Sequence, residues 1–162
     1  MRVVLDTVIY NRAVEYPDFG AQLRRACQQG HIKLVSTHVQ RDQLEATPDE
    51  AKRHQLLTFF DSVSSGIMPT AAAVWDVSKH DLAEWPDDER IEFFTRALGE
   101  TAPAKSMHAK DALLAVTAFA KADMFATADA GLLRRVRKAV LECGSKLAVL
   151  DYKEFSAELA RF

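Results

Sequence analysis

Short apolar runs alternate with amphipathic helical patterns along most of this chain, and that alternation leaves few folds open. Arg2-Val3-Val4-Leu5 is a strand candidate that stops at Asp6, and Ile32 to Ser36 is a second. Met124 to Thr127 and Leu147 to Leu150 supply two more, with Val74 to Ser78 a weaker one. Helical patterns lie between them. One covers Ala21 to Gln29 and is closed by Gly30; another is capped by Thr37 and carries Val39, Leu44 and Glu45. After a break at Pro48, Leu56, Leu57, Phe59 and Phe60 mark the apolar side of a third. A helix start at Trp85-Pro86 leads into Ile91, Phe93, Phe94 and Leu98, and Gly99 to Lys105 reads as an exposed loop. Lys110 to Lys121, Ala130 to Val140 and a terminal helix from Tyr152 complete the set. This order predicts an α/β fold: three layers, α/β/α, around a central, mostly parallel sheet.

Composition narrows the function classes. The chain has 162 residues, 48% of them hydrophobic, and a net charge of -2, which disfavours disorder and suits one domain. Its 21 basic and 23 acidic residues leave no bulk basic footprint, so a nucleic-acid coat protein is not expected. Apolar stretches are broken by charge well before the roughly 20 residues of a membrane span. Cys27 and Cys143 are too few and too far apart for a disulfide framework, and neither has a partner at zinc-site spacing. These features predict a soluble, cytoplasmic protein.

The acidic residues fall where an α/β sheet gathers its chemistry, just beyond the carboxyl ends of the strands. Asp6 follows the first strand, Asp129 lies two residues past Thr127, and Asp111 is in the first turn of the helix leading to that strand. Glu45 sits on the helix after the second strand. Four carboxylates in one cleft repel one another, and a bound divalent cation relieves that repulsion. All-oxygen donors select Mg²⁺ or Mn²⁺, which activate water and stabilise a phosphodiester under attack. Each acid also has a plainer reading. Asp6 suits a turn or cap, Asp129 a helix cap, Asp111 a favourable charge at a helix start, and Glu45 a solvated face.

Two segments, VVLDT near the start and KDALLAVTAFAKADMFATADAGLL near the end, together with an acid on the helix after the second strand, resemble the PIN domain family. The resemblance runs from Met1 to about Leu150 and is loose from Ser62 to Met107; it implies one PIN-like domain over residues 1–162. It further implies a Mg²⁺- or Mn²⁺-dependent endoribonuclease, of the kind found as toxins in VapC-type toxin–antitoxin pairs. Carried over by position, the acidic quartet that binds metal and drives catalysis is Asp6, Glu45, Asp111 and Asp129, supported by the hydroxyls of Thr7 and Thr127. An antitoxin protein and a homodimer are the implied partners, beside the RNA substrate. Val8 departs from the family's frequent Asn, with Asn11 one turn on, and Ala130 and Gly131 follow the last acid where a polar residue is common; both departures imply weaker metal binding.

Other residues carry less. Arg134, Arg135, Arg137 and Lys138 form a basic cluster that either grips RNA phosphates beside the acids or is simply a solvated helix face. His38 reads as a structural histidine at a helix start, and His108 lies three residues before Asp111. Neither GxxxxGK[ST] nor GxGxxG is present, so nucleotide-binding loops are not expected. The competing reading is a non-catalytic module that binds RNA or a partner through a PIN-like scaffold. A phosphatase with Asp6 as nucleophile is weaker still, because Val8 stands where a second Asp is typical.

Overall fold

The computed structural model describes residues 1–71, 89–98 and 109–162. In chain order these form β1 (Arg2–Leu5), α1 (Thr7–Glu15), α2 (Pro17–Gln28), β2 (Lys33–Thr37), α3 (His38–Glu45), α4 (Glu50–Val63) and β3 (Ser64–Met68). Then come α5 (Glu89–Ala97), α6 (Ala109–Lys121), β4 (Met124–Ala126), α7 (Ala130–Glu142), β5 (Ala148–Leu150) and α8 (Tyr152–Leu159). The strand expected over Val74 to Ser78, the helix start at Trp85, the Gly99 to Lys105 loop and His108 lie outside the described residues.

All five strands are parallel, in the order β3-β2-β1-β4-β5. The sheet is covered on both faces, as parallel sheets are. Along each strand the pleat sends alternate side chains to opposite layers. Val3, Leu5, Leu34, Met124 and Ala126 join a core with α1, α2, α4 and α8. Val4, Val35, Phe125 and Val149 join a second core with α5, α6 and α7. The fold is therefore a three-layer α/β/α sandwich with one core on each side of the sheet.

Local chemistry explains the elements. Pro17 occupies the first turn of α2, where its missing N–H costs nothing. Thr37 closes a capping box with Gln40 at the start of α3, and Asp151 does the same with Glu154 at α8. Gly30 adopts φ 76° just past α2, a conformation other residues resist. At Gly20 the reason is contact: a Cβ there would stand 2.3 Å from the Ala13 carbonyl oxygen, so α1 and α2 approach this closely only because Gly20 has no side chain.

Two elements go beyond the sequence reading. The segment before α2 is itself helical, as α1, and Ser64–Met68 forms an edge strand. The second strand runs one residue further than expected, to Thr37, and the helix ending at Gln28 begins at Pro17 rather than Ala21.

Candidate active site at the centre of the sheet

The chain leaves β1 toward β2 and β3 on one side, and β4 and β5 lie on the other. The order therefore reverses between β1 and β4, and the crevice beyond the carboxyl ends of those two strands is where open α/β sheets bind ligands. Leu5 is in register with Ala126, and Ala126 with Leu150. One residue further, Asp6 and Thr127 stand side by side at the crevice. The Asp6 N–H donates to the Ala126 carbonyl at 2.9 Å, and the Thr127 N–H to Leu150 at 3.1 Å. Both side chains continue the pleat set by Val4 and Phe125, toward the layer that contains α6.

Asp6 is only 2% exposed. It occupies the cap position of α1, yet its side chain makes no capping bond. Its carboxylate is held sideways instead: the Thr127 hydroxyl donates to Oδ2 at 2.7 Å, and the Thr7 hydroxyl to Oδ1 at 3.3 Å. Asp49, Asp129 and Asp151, by contrast, cap their helices with their own carboxylates. A cap alone thus does not account for Asp6.

Burial pushes the Asp6 carboxyl above the usual carboxylate range; the hydroxyl of Thr127 holds it down, and the nearby charge of Asp111 raises it further. No ion pair to Asp6 occurs among the described residues. Asp111, partly buried in the first turn of α6, is the second acid at this position. α6 runs back toward the start of β4, so its N-terminal turn lies at the same sheet edge as Asp6.

Thr127 links a third acid to the pair. Its hydroxyl accepts the Asp129 N–H at 3.0 Å while donating to Asp6. The Asp129 carboxylate is exposed, and its Oδ1 accepts the Leu132 N–H at 2.7 Å, capping α7. Glu45 is placed differently. Its carboxylate is 47% exposed and pairs with Arg41 at 3.0 Å, and Arg41 also binds Asp61 of α4 at 2.7 Å. Among the described residues no three Asp, Glu, His or Cys side chains gather closely enough to hold a metal ion. Asp6 feels the charge of Asp111, and Asp129 is tied to Asp6 through Thr127.

The supporting positions also resolve. Asn11 donates its amide to the Thr7 carbonyl at 3.1 Å, within its own helix. Arg137 donates to the Val149 carbonyl at 3.0 Å and pairs with Glu154, which fastens α7 to β5 and α8. Lys138 pairs with Glu142 along α7, and Arg134 is exposed. His38, the first residue of α3, is buried at 2%.

One residue escaped the sequence reading. Gln40 is fully buried and donates through Nε2 to the Leu5 carbonyl at 2.6 Å, immediately before Asp6. Its Oε1 accepts the Thr37 N–H at 2.6 Å and the Thr37 hydroxyl at 3.1 Å. Gln40 thereby joins the end of β2 to the end of β1. The T-x-x-Q spacing of a capping box was the signal that could have found it.

No helix among the described residues is long and apolar enough to cross a membrane. In comparisons with known proteins the chain matches no family model, no curated protein and no solved structure, which leaves the geometry at Asp6 to carry the functional reading.

Proposed function

We propose that this chain is a Mg²⁺- or Mn²⁺-dependent endoribonuclease whose reaction takes place beside Asp6 at the β1–β4 crevice. The observation that carries this reading is Asp6 itself. It is a buried carboxylate at the switch point, raised by burial and by Asp111, and among the described residues it is held by two hydroxyls rather than by a cation. A negative charge kept in that state is costly unless a positive ligand joins it.

The donor set fits a hard divalent cation. Mg²⁺ keeps several waters and takes one or two carboxylates together with a substrate phosphate, so Asp6 and Asp111 would be the protein residues that hold it. Bound there, such an ion supplies an activated water and neutralises charge on the phosphodiester under attack. The chain's own residues do the rest. Thr127 fixes one Asp6 oxygen and Thr7 the other, so the carboxylate cannot rotate. Gln40 anchors the backbone that precedes it. Asp129, exposed at the start of α7, would orient a water or a ribose hydroxyl at the rim of the crevice. Glu45, engaged by Arg41, is left out of this proposed ligand set. The toxin role and the antitoxin and dimer contacts belong to the same proposal and rest on the sequence resemblance alone.

The competing reading, a binding module without chemistry, differs in one cheap observable. An ion that binds only the folded state raises its melting temperature by mass action. Mg²⁺ or Mn²⁺ at millimolar levels is expected to stabilise the wild type and not Asp6→Asn or Asp111→Asn. Equal shifts in all three proteins, or none in any, would remove the metal site and with it this mechanism.

A further inference from the structure

We infer that Tyr16 and Tyr152, with Arg12 over both rings, form a stacking platform for a base of the single strand entering the crevice at Asp6. This inference rests on the phosphodiesterase reading for its direction but not for its chemistry. The placement comes first. Asp6 occupies the cap position at the start of α1 and Tyr16 that at its end, and Val8, Arg12 and Tyr16, spaced four apart, follow one another along it. Val8 is 36% and Tyr16 48% exposed, so this stripe faces solvent. From Val8 to Tyr16 it spans about 12 Å at the helical rise. Tyr152 reaches the same place from the sheet, two residues past Leu150, whose carbonyl accepts the Thr127 N–H.

The rings are set for use rather than filler. Tyr16 and Tyr152 have centroids 6.1 Å apart at a 34° tilt. Phe19 packs edge-on against Tyr152 at 4.9 Å, and behind it Phe155 is fully buried. Those two phenylalanines join the helices, which leaves the exposed half of Tyr16 without a packing duty. The Arg12 guanidinium lies 5.8 Å from the Tyr16 centroid and 6.0 Å from that of Tyr152. Glu15 pairs with both Arg12 and Lys52 at 3.3 Å, so two cations share one carboxylate, with Asp18 and Asp151 close to the two rings in sequence. An aromatic face beside a positive charge is what a single strand requires: the ring stacks the base and the cation meets its phosphate.

The test is fluorescence anisotropy in EDTA, and again in Mg²⁺, with three labelled strands of equal length: an oligoribonucleotide, its deoxy counterpart and an abasic strand. Stacking on one ring is worth about five- to a hundredfold in affinity. Tyr16→Ala is expected to weaken the base-bearing strands by that factor and leave the abasic strand unchanged. Tyr16→Trp should restore binding, and Tyr16→Leu, which keeps an apolar side chain, should not. Arg12→Gln should weaken all three strands and flatten their salt dependence. A ribo preference would assign the strand as RNA, and equal ribo and deoxy binding would still support the platform. The inference is overturned if wild type binds no strand, if Tyr16→Ala binds as wild type does, or if the abasic strand loses as much. Its failure is separable from that of the nuclease. Cleavage with an unchanged KM in Tyr16→Ala would remove the platform alone, whereas base-dependent binding without cleavage would remove the nuclease alone.

Discussion

Thr127→Val is the perturbation that probes the crevice most sharply. Valine keeps the volume and branching of threonine and deletes only the hydroxyl. That hydroxyl donates to Asp6 Oδ2 at 2.7 Å and accepts the Asp129 N–H at 3.0 Å. A bond to a charged, buried acceptor is worth about 1.5–3 kcal/mol, and the second bond, at a partly buried N–H, adds up to about 1 kcal/mol. The variant should lose about 2–4 kcal/mol at neutral pH, and roughly 2–4 °C of Tm per kcal/mol follows for a chain of this size. The pH dependence has a definite sign. Thr127 lowers the Asp6 pKa, so its removal raises the folded-state value further above 3.8. An acid whose folded pKa is raised penalises the folded state while it is ionised, and the penalty fades as pH falls through the folded value. The gap between wild type and variant should therefore be widest near neutrality and shrink on acidification. Urea unfolding at several pH values, with m unchanged, measures both quantities. A loss under about 0.5 kcal/mol, or a gap that widens in acid, would refute the charged, hydroxyl-held Asp6 described above.

Four further outcomes follow from the same geometry. Asp6→Asn removes the ionisation penalty and should leave the protein at least as stable as wild type at neutral pH, with the difference vanishing in acid; denaturant melts at both conditions check it. Gly20→Ala forces a Cβ against the Ala13 carbonyl and should cost about 1–3 kcal/mol, read from the urea midpoint. Gln40→Leu strands the Thr37 N–H and the Leu5 carbonyl in the core, and should cost about 2–4 kcal/mol by the same assay. Glu45→Gln, which weakens one exposed ion pair, should change stability by less than about 0.5 kcal/mol and leave RNA cleavage within about twofold of wild type.

Much of this fold could be read from residues. β1, β4, α6 and α7 each carry a clean apolar period, and Thr37 and Asp129 cap the helices that follow them. β3 could not, because SSGIM has little β-branched or aromatic content and lies at a half-exposed sheet edge. α1 was hidden by its shortness, although Pro17 at the next helix start was a usable signal. Asp6 and Asp111 were legible as strand-end and helix-start acids, but the influence of one charge on the other depends on β4 lying beside β1, which no local pattern states. Glu45 stands four residues after Arg41, and that spacing, readable in advance, is the one its carboxylate uses. The Tyr16–Tyr152 pair joins residues far apart in sequence, so only the folded chain reveals it.

Chemistry at Asp6 is read out by cleavage of single-stranded and structured RNA. Purified wild type and Asp6→Asn would be compared in Mg²⁺, in Mn²⁺ and in EDTA, with circular dichroism confirming that both are folded. Wild type should cleave in either metal and not in EDTA, and Asp6→Asn should lose at least about a hundredfold. Undiminished cleavage by Asp6→Asn, or none by folded wild type in either metal, would contradict that chemistry.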